Sequence, residues 1–139
     1  MSSNFNRSFK KSHKETRDLM KKIQGIDKET KIYLQALWDF LLGLEKAFEN
    51  GNFEKAEDYI FTSQDCLEKL GELVEEHIDL YEPSKAYKLG KHSWAYYSLL
   101  TLIKTKLERK EDFKRDLEHA QDLLSSITRI ILGEEDETD

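Results

Sequence analysis

The sequence predicts an all-α protein: an up-down-up-down four-helix bundle of long antiparallel helices, plus a weaker N-terminal helix. Three observations carry this expectation. Apolar residues recur at alternating intervals of three and four over long stretches, which keeps one stripe on one side of a helix. One Pro and six Gly in 139 residues are too few for a loop-rich all-β fold. The segments between the periodic stretches are short, and helices of matched length joined by short loops pack antiparallel.

Each element has its own signals. In 28–49, Leu34, Leu37, Leu41, Leu44 and Phe48 form the stripe, flanked by Tyr33 and Phe40. Asp27 is a candidate N-cap, and Glu29 sits favourably beside the positive end of the helix dipole. Asn50-Gly51-Asn52 ends this helix, because Gly51 tolerates the left-handed conformation and Asn52 can cap the helix after it. That second helix, 53–78, turns Phe53, Ala56, Ile60, Ser63, Leu67, Leu70, Val74 and His77 inward, widened by Tyr59, Cys66 and Leu73. Pro83 breaks the chain and Ser84 can cap 84–108, whose inward residues are Leu89, Ser93, Tyr96, Leu100, Ile103 and Leu107.

The linker Arg109-Lys110-Glu111-Asp112 has no Gly or Pro. A break is still expected there, since one continuous rod would leave the last apolar stripe uncovered; Asp112 is the candidate cap. The last helix, 113–132, has Phe113, Leu117, Ala120, Leu124, Ile127 and Ile131 inward and Leu123 and Ile130 beside them, and Gly133 stops it. The N-terminal segment 10–24 is weaker. Leu19, Met20 and Ile23 mark an apolar side that Ser12 and Thr16 dilute.

The length suits one domain. It divides into a basic arm, 1–10, a helical bundle, 11–133, and an acidic tail, 134–139. Net charge is −6, unevenly spread: 1–22 holds seven basic residues against two acidic ones, and 134–139 holds five acidic residues. An acidic body disfavours broad phosphate binding. Nucleic acid is therefore expected only through the arm, with Arg7, Lys10, Lys11, Lys14 and Arg17 as phosphate contacts. No apolar run approaches the ~20 residues that span a bilayer. Residues 1–25 also lack the apolar core of a secretory signal. The expectation is a cytoplasmic protein with no membrane partner.

The known catalytic patterns are missing from the sequence. A single Cys excludes an internal disulfide framework and any multi-Cys zinc site. Di-metal bundles need Glu-x-x-His on two helices; the nearest approach is a lone Asp116-x-x-His119. Arg115 and His119 do not match the spacing of HEPN-type nucleases. No His is followed by the Lys-Gly of histidine phosphotransfer domains. Cys66 has only Lys69 as a nearby cation, too little to activate a thiolate. No phosphate loop or G-x-S-x-G occurs. No enzyme activity, cofactor or metal is expected.

The aromatic residues carry more information. On a helical wheel of 84–108, Tyr87 and Trp94 point away from the core, seven residues apart. Gly90, Ser98, Thr101 and Thr105 share that outer half and Tyr97 borders it, so small residues between large ones leave a furrow for another helix. On 28–49, Trp38 and Leu42 also fall off the main stripe. Exposed Trp and Tyr are enriched at protein interfaces. In an up-down bundle these two helices are diagonal, so one N-terminal helix cannot cover both faces.

The turn Lys46-Ala47-Phe48-Glu49-Asn50-Gly51-Asn52-Phe53-Glu54-Lys55-Ala56, within Phe40 to Leu70, resembles the central hairpin of flagellin export chaperones. Those are small bundles that wrap a disordered flagellin tail. The resemblance ends with this hairpin: the Leu-Tyr pair early in that family's first bundle helix is here Leu37-Trp38, in a shifted register. It implies only that such bundles act by binding peptides and does not amount to membership. The sequence therefore points to a non-enzymatic protein-interaction module (adaptor, chaperone or regulator) that binds a helix or peptide, or itself, through Tyr87, Gly90, Trp94, Tyr97, Trp38 and Leu42. The alternative is a small nucleic-acid-associated subunit using the basic arm.

Overall fold

The structure, a computed structural model, describes residues 28–133 together with Lys14. The arm (apart from Lys14), most of the N-terminal helix expected over 10–24, and the tail 134–139 lie outside the described residues. The described residues form four helices and no strand: α1 (Lys28–Glu49), α2 (Phe53–Glu76), α3 (Pro83–Glu108) and α4 (Lys114–Leu132). A short 3-10 turn, Ile78–Leu80, separates α2 from α3.

The helix ends follow local chemistry. Gly51 takes the left-handed conformation (φ 71°), and Asn52 Oδ1 accepts from the Lys55 N–H at 3.2 Å, capping α2 as expected. The start of α3 differs from expectation. Pro83 rather than Ser84 opens it, with Glu82 in the capping position, because a first-turn residue has no use for the N–H that Pro lacks. The break between α3 and α4 is made without Gly. Lys110 itself adopts φ 58°, and the Glu111 N–H reaches back to the Lys106 carbonyl at 2.8 Å. Asp112 Oδ1 then accepts from the Lys114 N–H at 3.1 Å, and Lys106 Nζ meets Asp116 Oδ2 at 2.7 Å across the break.

One continuous core runs through all four helices. It includes Leu34, Leu37, Leu41 and Leu44 of α1 and Ala56, Ile60, Leu67 and Leu70 of α2. α3 adds Leu89, Tyr96, Leu100, Ile103 and Leu107, and α4 adds Leu117, Ala120, Leu124, Ile127 and Ile131. Each helix packs on the next, and α4 packs on α1. Between α1 and α2, Cys66 Sγ–H donates to the Tyr33 carbonyl at 3.3 Å, and Tyr59 lies 6.4 Å from the Phe40 ring. The Tyr59 ring also sits against Gly43, where an added β-carbon would stand 2.5 Å from Cζ. Between α2 and α3, Gln64 Nε2 donates to Thr101 Oγ1 at 2.8 Å, and Lys104 Nζ lies 4.7 Å above the Phe61 ring.

Three expectations of burial need correction, one outward and two inward. Trp38 is not on an outer face: it is fully buried, and its Nε1–H donates to Thr128 Oγ1 of α4 at 2.9 Å. The buried arc of α1 is wider than its leucine stripe, because Trp38 and Glu45, seven residues apart, add a second buried row. Phe53 and His77, expected inside, are exposed. They stand at the two ends of α2. Phe48 and Phe113, with ring centroids 4.3 Å apart, pack against each other near the C-terminus of α1 and the start of α4.

Candidate interaction surface

The inward residues of α3 fix what faces out. With Leu89, Tyr96, Leu100 and Ile103 buried, Tyr87 and Trp94 stand out at 73 % and 74 % exposure, two turns apart. Gly90 lies between them, and a β-carbon there would meet nothing within 4 Å among the described residues. Tyr97 is at the margin, 36 % exposed, and its carbonyl accepts from Gln64 Nε2 at 3.2 Å. Leu102 is a further exposed apolar residue of α3. Tyr87, Gly90, Trp94 and Tyr97 are therefore brought onto the surface of one helix. Trp38 and Leu42 do not join them, since the first is sealed in the core and the second is half-buried against it.

Beside this face runs a groove of about 790 Å³ between the first half of α3 and the last turns of α4. Tyr87, Lys88, Lys91 and His92 line it from α3, Ser126 and Arg129 from α4, with Pro83 and Ser84 at its end. Among the described residues no acidic side chain lines it. In a chain of net charge −6 this is a local reversal of sign. Sequence reasoning missed the groove because Arg129 is distant in the chain from Lys88 and Lys91. The available signal was Lys85, Lys88 and Lys91 at intervals of three at the start of α3. A smaller hollow of about 470 Å³ between α1 and α2 mixes Glu54, Lys55 and Asp58 with Phe40 and Tyr59, so its charges oppose one another.

The chemically reactive groups lie elsewhere. Burial pushes the Cys66 thiol up to about 11; the Asp65 carboxylate adds to this and Lys69 opposes it. Burial also holds the Tyr96 phenol well above its ordinary range, and its hydroxyl has no hydrogen-bond partner among the described residues. Asp116 is engaged by Lys106, and His119 is exposed. Among the described residues no group of three or more His, Cys, Asp or Glu could hold a metal ion, and no helix is long and apolar enough to cross a membrane.

Of the phosphate contacts expected in the arm, Lys14 is helical and exposed; Arg7, Lys10, Lys11 and Arg17 lie outside the described residues. No protein-family model matches the chain, and comparison with curated proteins and with solved structures gives no match.

Proposed function

We propose that this chain is a non-enzymatic protein-interaction module that binds a helix or peptide, or a second copy of itself, through the outer face of α3. The observation that carries the reading is the pair Tyr87 and Trp94, each about three-quarters exposed, with an open Gly90 between them. Large aromatic side chains give up much contact with water when covered, and Trp and Tyr dominate binding energy at interfaces. The absent side chain at Gly90 leaves room for a partner backbone between the two rings. An adaptor, chaperone or regulator would use such a face.

The same reading takes the four helices as an up-down-up-down bundle. Contacts between Tyr33 and Cys66 and between Phe40 and Tyr59 advance along α1 as they retreat along α2, which supports it. Trp38 with Thr128 and Phe48 with Phe113 do the same for α1 and α4. In that arrangement α3 keeps one full side away from the core.

The test is the double variant Tyr87→Ala/Trp94→Ala. Both side chains are exposed, so the thermal melt should stay close to that of the parent. Self-association by light scattering, or retention of a bound protein partner, should be lost. A double variant that self-associates and retains partners like the parent would reject the face.

A further inference from the structure

The groove between α3 and α4 goes beyond the interaction face, and its charge identifies an occupant. Lys91 and Arg129 are exposed on its two walls, with Lys88 and His92 beside them, and among the described residues no carboxylate lines it. The start of α3, Pro83 and Ser84, closes one end. A helix start carries the positive end of its dipole and unbonded N–H groups that favour anions. The end of α4 lies at the same end of the molecule, because Ser126 and Arg129 share the groove with Ser84.

Gly133 follows α4 in the left-handed conformation (φ 76°), which turns the chain off the helix axis one turn beyond Arg129. The next six residues are Glu134, Glu135, Asp136, Glu137, Thr138 and Asp139. Carboxylates just past a helix C-terminus are repelled by the negative end of its dipole. Arg129, on the wall of the groove, stands one turn before Gly133. Six residues reach at most ~20 Å, and a tether this short gives an effective concentration in the millimolar range.

We infer that the acidic segment 134–139 docks in cis in the groove between α3 and α4, its carboxylates meeting Lys91 and Arg129 on the two walls. The groove is thus an acidic-peptide site that the chain fills itself. Its occupant lies beside Tyr87, at the margin of the interaction face.

A nitroxide placed on Thr138→Cys in the full chain tests this. Labelling is selective, because Cys66 is buried and its thiol is raised to about 11. The amide signals of Ser84, Lys91 and Arg129 should lose most of their intensity through paramagnetic broadening. They should recover in Lys91→Gln/Arg129→Gln, or when the five tail carboxylates are changed to amides. Absence of broadening at these amides, or broadening that survives both sets of substitutions, overturns the inference. Broadening of isotope-labelled chains by spin-labelled ones in a mixture also overturns it, since that places the segment on a second copy. The outcome is independent of the Tyr87→Ala/Trp94→Ala experiment.

Discussion

The indole N–H of Trp38 on α1 donates to Thr128 Oγ1 on α4 at 2.9 Å, and that hydroxyl donates in turn to the Leu124 carbonyl at 2.7 Å. The relay is buried and ties the first helix to the last. Thr128→Val keeps the shape and removes the acceptor, so unfolding in urea should show a loss of about 1–2 kcal/mol. Thr128→Ser should retain most of the parent stability. Equal stability of the valine and parent proteins would show that the relay contributes nothing.

Two glycines within helices should respond in opposite directions to the same substitution. At Gly43 an added β-carbon would strike the Tyr59 ring, and Gly43→Ala should destabilise by about 1–3 kcal/mol as the ring is displaced. At Gly71 nothing lies within 4 Å, and Gly71→Ala on the exposed side of α2 should stabilise by roughly 0.5–1 kcal/mol. Denaturant midpoints of the two variants, measured side by side, check both signs.

Tyr96 is wholly buried, and its hydroxyl finds no partner among the described residues. Removing a buried polar group that was never satisfied recovers its desolvation penalty. Tyr96→Phe should therefore raise stability by about 1 kcal/mol, measured by chemical unfolding. A loss would mean that the hydroxyl bonds a buried water.

Cys66 sets an alkaline limit. Burial raises its thiol from 9.0 to about 11 in the folded protein, so the folded state holds its proton longer than the unfolded chain does. Nothing is lost below pH 9. Between about pH 9 and 11 the unfolded thiol ionises first, and stability falls by at most ~3 kcal/mol. Cys66→Ala should flatten that decline relative to the parent, leaving the later contribution of Tyr81 and Tyr96, whose phenols burial also raises. For the same reason, iodoacetamide near neutral pH should modify the folded protein far more slowly than the urea-unfolded chain.

The helices and most of their inward faces were legible because an amphipathic stripe is written in the spacing of one segment. The phase of α3 comes directly from it: Leu89, Tyr96, Leu100, Ile103 and Leu107 are buried, and Tyr87 and Trp94 are exposed. The phase of α1 was misread at Trp38 because a wheel assumes one contact direction, whereas α1 packs on both α2 and α4. The cationic groove was not legible, since it arises only where the first half of α3 lies beside the last turns of α4, residues some forty positions apart that the fold back at Lys110 brings together. At Lys110 the sequence carried the break without the usual glycine, and only the backbone reveals which residue takes the left-handed turn.

The chain has two tryptophans, one with no exposed surface and one exposed over three-quarters of its area. Their fluorescence should therefore separate into a blue-shifted emission from Trp38 and a red-shifted emission that acrylamide quenches readily from Trp94. Anything that settles over α3 would dim or shift only the second signal, while the first continues to report that the interior is intact. The protein thus carries its own occupancy gauge, with a built-in reference channel.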